Sequence, residues 1–390
     1  MLHRLRLSNF LSFAGETEIS FVMDGRAPET DSDFTSPAGI RLSKVTAMIG
    51  ANAAGKTNAL KALSFLSRFA VESFPAAWEG VSVLSGFFDS DEPASFELDF
   101  EVDGRLHRYQ LQITPKRVIS ESLLRKDSKL YRTLFLRQWD KDASVYTVRQ
   151  NGFDFPAKQT QRIKPLSSLI ATGVQFGVEP AKDFFDYFSR IASNIETAAK
   201  RKTNDIAAIL KASGIYGRDR ELAARMTDIV KKLGIGVDYF SFVDGEKFDF
   251  GYLPFAAHSG DGKVKHVSLL DESSGTQAVF ILLARLLPVL ETGGVAVVDA
   301  METGLHPLML APILNLFIDP ETNLYNAQIV FTTHSLHALA VLQRCQILLV
   351  EKDDRGSSAV RRFSEIRGGR NDGAFISKYL AGAYGAVPRI

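Results

Sequence analysis

Gly50-Ala51-Asn52-Ala53-Ala54-Gly55-Lys56-Thr57 is a complete G-x-x-x-x-G-K-[ST] string. Before it, 44–49 is a short, mostly apolar run that reads as a buried strand. After it, Leu60, Leu63, Leu66 and Ala70 recur at helical spacing over 58–70. A strand, a glycine-bearing loop and a helix in that order form the context in which the string means a phosphate site. Glycines let the backbone curl so that successive N–H groups face phosphate oxygens, and the helix N-terminus adds partial positive charge. The expected contacts are Gly50, Asn52, Ala53, Ala54, Gly55, Lys56, Thr57 and the first helical residue Asn58. Lys56 would reach the β- and γ-phosphates, and the Thr57 hydroxyl would ligate Mg²⁺.

A phosphate loop of this kind needs an acidic group at the end of a neighbouring buried strand. Val295-Ala296-Val297-Val298-Asp299 offers four apolar residues and then a carboxylate, at the strand edge where ligands bind in open α/β sheets. An ordinary strand-ending Asp is the plainer reading, but the phosphate loop outweighs it. Asp299 and Thr57 are therefore the expected metal ligands. Farther along, Glu272-Ser273-Ser274-Gly275-Thr276 precedes a helical run over 276–291. By itself this is a simple helix cap, although a Ser-Gly turn at a helix N-terminus is also an anion site. Gln328 to Ser335 is another apolar strand, ending in Thr332-Thr333-His334-Ser335.

The rest of the chain is consistent with this core. The last third alternates strand and helix, the mark of a parallel sheet with helices on its faces. Residues 95–114 read as a hairpin turning at Asp103-Gly104, and 117–155 as further strands. Residues 24–39 are polar and rich in Pro, Gly and Asp and read as a loop. Residues 161–232 read as helical, with 13 basic and 8 acidic side chains. That excess suits DNA, although a solvated helix face is the plainer reading. The net charge of +1 over 390 residues argues against a generally basic nucleic-acid coat. The single cysteine, Cys345, lies in an apolar run and reads as a buried thiol suited to a reducing cytoplasm. Apolar runs fall short of the roughly 20 residues a membrane helix needs, so no membrane is expected.

Taken together, several motifs resemble the ABC-type ATPase heads of the SMC, RecF and OLD class. They are the phosphate loop, the Ser-Ser-Gly signature, the strand to Asp299 with Gly304-Leu305-His306-Pro307 after it, and the Thr-Thr-His-Ser strand end. The opening phrase LRLSNFLSFAGETEISF is similar to their first strands. Val350-Glu351-Lys352-Asp353 and Tyr379 to Pro388 resemble bacterial AAA/ABC ATPases of abortive-infection and anti-phage operons. The resemblance implies an α/β fold: an ABC-type P-loop ATPase head with a mixed, largely parallel core sheet, an antiparallel β lobe and a helical insertion. It divides the chain into an N-terminal lobe over 1–160, an insertion over 161–245 and a C-terminal lobe over 246–390.

It also implies a mechanism. Two heads sandwich two ATPs, each with Mg²⁺. The phosphate loop and Asp299 come from one chain. Ser273, Ser274 and Gly275 of the other touch the same γ-phosphate. His334 is the switch histidine, and Leu305-His306-Pro307 lies at the seam. The implied partners are a second copy, as a homodimer or higher oligomer, and an effector of Toprim or HNH nuclease type from the same operon. A DNA-gripping repair ATPase is the alternative. A transporter subunit is a further rival, which the helical segment and the SMC-like opening argue against.

One residue departs from the pattern. The class carries Glu after the strand Asp, to polarise the attacking water, and this chain has Ala300 in Asp299-Ala300-Met301-Glu302. Alanine cannot activate water, and Glu302 is not expected to replace the missing carboxylate. The chain should bind ATP and hydrolyse it poorly. An engineered Glu-to-Ala change that traps the ATP state is the preferred explanation, and a naturally slow ATPase is the alternative.

Overall fold

The computed structural model describes residues 1–74, 84–195, 205–245, 251–366 and 375–387. Lys200-Arg201-Lys202, the centre of the basic segment, and Pro388 lie outside these residues.

The chain opens with strands β1 (Leu2–Ser8), β2 (Thr17–Ser20), β3 (Asp33–Thr35) and β4 (Arg41–Ser43). Strand β5 (Val45–Ile49) then runs into helix α1 (Lys56–Glu72). Strands β6 (Ala94–Val102), β7 (Arg105–Ile113), β8 (Val118–Asp127), β9 (Leu130–Asp140) and β10 (Val145–Gln150) follow. Next come α2 (Leu169–Gln175), α3 (Glu179–Ser189) and β11 (Ile191–Ser193). Helices α4 (Asp205–Arg218) and α5 (Arg220–Lys232) lead to β12 (Tyr239–Asp244), β13 (Tyr252–Gly260) and β14 (Lys263–Ser268). The remainder is α6 (Ser274–Thr292), β15 (Val295–Val298), α7 (Pro307–Ile318), β16 (Gln328–Thr332), β17 (Ile347–Lys352), β18 (Ser358–Arg362) and α8 (Phe375–Leu380).

The central sheet has the order β11-β15-β16-β5-β17-β18. Its strands are parallel except for β18, which returns antiparallel to β17. All five residues of β5 and all five of β16 are buried, as strands covered on both faces must be. Alternate residues feed opposite cores, because successive side chains in a strand point to opposite faces. Val295, Val297 and Val330 join α1, α2, α3 and the N-terminal strands. Ala296, Val298 and Ile329 join α4, α5, α6 and α7. Helix α1 buries Leu60, Leu63, Phe65, Leu66 and Phe69. Each contributes about 1.5–3 kcal/mol of apolar burial.

The second sheet is an antiparallel lobe of order β10-β9-β8-β7-β6-β1-β2. The hairpin expected at Asp103-Gly104 joins β6 to β7. Glu121, wholly buried, accepts hydrogen bonds from Tyr109 Oη at 2.8 Å, Leu169 N at 2.9 Å and Arg137 Nη1 at 3.3 Å. Burial pushes its pKa up, and the Arg137 charge opposes the shift. This hub ties three strands of the lobe to the start of α2.

Three features differ from the sequence expectation. The stretch 24–39 is not all loop, since β3 pairs with β4 and buries Phe34. The segment 161–245 is not helical throughout. Its β11 is a strand of the central sheet beside β15, and α2 and α3 pack into the core. Three residues are too few to show alternation, and their partner lies about a hundred residues away. Beyond 246, β13 and β14 complete a three-stranded antiparallel sheet with β12. Helix α6 is long and apolar enough, by length and composition, to cross a bilayer. Its Val279, Phe280, Leu283, Leu286, Leu287 and Leu290 are buried in the second core, so packing accounts for its apolarity.

Candidate nucleotide site

The loop after β5 is built as its sequence requires. Ala53 and Gly55 have φ of +60° and +112°, turning the chain through left-handed conformations that form an anion-binding nest. A Cβ at Gly50 would collide with the Val350 carbonyl oxygen, and one at Gly55 with the Ser358 and Ser12 hydroxyls. Both positions need glycine for space. The Ser358 hydroxyl donates to Ala54 O at 2.7 Å, and its oxygen lies 2.8 Å from Ser12 Oγ. Asn58 Nδ2 donates to the same Ser12 Oγ at 2.9 Å. The Asn58 side chain thus belongs to the scaffold that holds the loop.

Lys56 opens α1. Its ammonium donates to Gly50 O and Ala51 O, both at 2.9 Å, folding back over the loop. Desolvation lowers its pKa, opposed by the charges of Asp299 and Glu302. The Thr57 hydroxyl donates to the Asp299 carboxylate, at 2.9 Å to Oδ2 and 3.1 Å to Oδ1. A hydroxyl and a carboxylate already in contact are hard oxygen ligands that fit Mg²⁺, which takes few protein ligands and fills its octahedron with water and phosphate oxygens. No cluster of three or more His, Cys, Asp or Glu side chains suited to another metal occurs among the described residues.

Asp299 is held from two further sides that the sequence did not reveal. Thr332 Oγ1 donates to Asp299 Oδ1 at 2.6 Å and accepts from Ala300 N at 2.7 Å. Asn194, at the end of β11, bonds both the N–H and the carbonyl of Asp299. Thr332 belongs to the Thr-Thr-His-Ser strand end, whose sequence does not show this contact. Asn194 carried no signal, because β11 itself was not visible.

Beyond Asp299 the chain turns sharply. Ala300 has φ +49°, and Glu302 Oε1 accepts from His334 N at 2.8 Å. His334 is exposed at the end of the β16 strand region. The site therefore brings together Lys56, Thr57, Asp299, Ala300, Glu302 and His334.

Ser273, Ser274 and Gly275 lie at the start of α6. Ser273 caps α6, its Oγ accepting from Thr276 N at 3.2 Å, so the simple-cap reading describes its contacts within one chain. Gly275 packs toward Gly304. No hydrogen bond joins these three residues to 50–57 among the described residues. The preceding Glu272 accepts from His258 Nε2 at 2.6 Å. Burial of His258 lowers its pKa less than its bonds to Glu272 and the Gly236 carbonyl raise it, so the net shift is upward.

A family model described as "AAA domain, putative AbiEii toxin, Type IV TA system" matches residues 45–340. Among solved structures, the chain resembles an SMC head bound to the C-winged helix domain of ScpA. The TM-score is 0.51 at 14% identity, covering 92% of this chain and 96% of that one. It also resembles an Smc head domain with an extended coiled coil, bound to the C-terminal domain of ScpA, from Pyrococcus furiosus. There the TM-score is 0.50 at 14% identity, covering 92% and 95%. No curated protein matches the sequence. The β5–loop–α1 unit, the Asp299 strand and the two-sheet head agree with both comparisons, and the chain belongs to this AAA family as a P-loop ATPase with an ABC/SMC-type head.

Proposed function

We propose that the protein is an ATP-driven switch of a bacterial anti-phage defence system, pairing with a second copy around two Mg²⁺-ATP molecules in the cytoplasm. Its nucleotide state then controls a partner effector, a nuclease of Toprim or HNH type. The observation that carries the pairing is that the two half-sites share no hydrogen bond among the described residues. The phosphate loop, Asp299 and His334 gather at one sheet edge, while Ser273 to Gly275 cap α6 with no bond to that loop. A γ-phosphate shared between Lys56 of one chain and Ser273 of the other adds contacts only in the paired state, and a ligand shifts an equilibrium only through such differential contacts. The pairing is isologous, which gives two equivalent sites and a closed dimer. The toxin-system description of the family supports the defence role. The SMC head solved with ScpA supports the idea of a head that engages a second protein.

Ala300 leaves the usual water-polarising position without a carboxylate, so hydrolysis is slow and the ATP-bound pair long-lived. Light scattering with ATP and with ADP tests the reading. ATP alone should double the mass, and Ser273→Arg should block the doubling while leaving ATP binding to the monomer intact. A mass that is the same with either nucleotide and indifferent to Ser273→Arg would mean that assembly is constitutive or uses another surface. Salt-dependent binding of duplex DNA by the pair would favour DNA over a protein effector.

A further inference from the structure

Glu302 occupies a position that its sequence neighbourhood did not suggest. The left-handed turn at Ala300 and the bond from Met301 N to Thr332 O at 3.0 Å bring the 300–305 turn back against the ends of β15 and β16. Glu302 is thereby brought to the end of β16, beside His334. Its Oε1 accepts the backbone N–H of His334 at 2.8 Å, and its charge acts on the Lys56 ammonium. Its other oxygen, Oε2, is shielded from solvent and has no hydrogen-bond partner among the described residues. A shielded carboxylate oxygen without a donor is expensive to keep. Such a group in a folded protein calls for an explanation, and a water or ion that occupies the site in use is a common one.

We propose that Glu302, through Oε2, orients and deprotonates the water that attacks the γ-phosphate in this chain. This rests on the ATPase reading above. The water oxygen bonds to the γ-phosphorus as the bond to the β,γ-bridging oxygen breaks, and that electron pair leaves with ADP. The water proton passes to Oε2 and is released to solvent as inorganic phosphate departs, so the carboxylate is regenerated. The backbone bond to His334 couples this group to the switch residue, so that movement of the His334 segment moves the acceptor. Glu302 accounts for the slow turnover that persists with alanine at position 300.

The test uses the full chain with Mg²⁺-ATP and compares the parent, Glu302→Gln and Lys56→Ala. Glutamine keeps an oxygen to accept the His334 N–H but is not a base. The expected result has three parts. Turnover falls at least tenfold in Glu302→Gln with ATP affinity within about twofold of the parent. The lifetime of the ATP-induced dimer, followed by light scattering, lengthens by a similar factor. The acid-side fall in the parent's pH–rate profile disappears from the residual rate. Unchanged turnover in Glu302→Gln, with turnover abolished in Lys56→Ala, would overturn the role of Glu302 and leave the ATPase intact. Loss of ATP binding in Glu302→Gln would make the residue a structural support and overturn the role as well. Turnover that survives Lys56→Ala undiminished would defeat the ATPase reading itself, and the assignment of Glu302 with it.

Discussion

Asn194 and Asp299 exchange two hydrogen bonds. Asn194 Nδ2 donates to the Asp299 carbonyl at 2.8 Å, and Asp299 N–H donates to Asn194 Oδ1 at 2.7 Å. The side chain of one strand end thus stands in for a strand partner at the point where β15 stops and the carboxylate begins. Asn194 acts through Asp299, as a positioning residue.

Asn194→Ala is expected to leave both backbone groups of Asp299 unpaired, at a cost of about 1–3 kcal/mol. Urea unfolding should show that loss without nucleotide. ATP titration with and without Mg²⁺ should show a larger loss of affinity when the metal is present. A loss of equal size in both titrations would mean that Asn194 supports the fold alone.

Lys56→Ala is expected to abolish ATP binding measured by calorimetry. The ammonium sits over the loop on the Gly50 and Ala51 carbonyls, both at 2.9 Å, and must exchange these for phosphate oxygens. A hydrogen bond to a charged group contributes roughly 1.5–3 kcal/mol, with Mg²⁺ adding to it. Unchanged affinity would remove the phosphate-loop assignment.

Ala300→Glu is expected to raise ATP turnover at least tenfold, which needs only about 1.4 kcal/mol of barrier lowering. The backbone already bears the left-handed φ of +49° with a Cβ in place, so the longer side chain adds little strain. Steady-state phosphate release, under conditions where the dimer forms, measures the change. Equal rates in both proteins would show that water is handled without position 300.

Pairing is expected to weaken as pH rises, through His258. Its Nδ1 lies 2.9 Å from the Gly236 carbonyl and its Nε2 2.6 Å from Glu272 Oε1. Two acceptors require both ring nitrogens to carry protons. The bond to Glu272 is the main cause of its raised pKa, with the charge of Asp238 a smaller one. A raised folded pKa means that the contact is fully formed below the ordinary value of 6.5 and is lost as pH rises through the higher folded value. The ring is partly exposed, so solvent screening keeps the effect modest. Light scattering with ATP across that window should show the dimer fraction falling, and His258→Gln should flatten the profile. An identical profile in the variant would detach the signature loop from this histidine.

The phosphate loop, the Asp299 strand, helix α6 with its Ser273 cap and the β6–β7 hairpin were legible because each is written in adjacent residues. Their signals are apolar runs, helical spacing, glycines where no Cβ fits, and a capping serine. Strand β11 was not legible, since three residues carry no periodicity and its register exists only against Val295 to Val297. The grip of Asn194 and Thr332 on Asp299, and the bond between Glu302 and the His334 backbone, follow from strands brought side by side from distant parts of the chain. Local sequence sets which residues can turn, cap or curl around a phosphate. Which carboxylate faces which cation was decided only when the parallel sheet aligned the ends of β5, β11, β15 and β16, because hydrogen bonds of 2.6–3.1 Å between such residues depend on strand order and register.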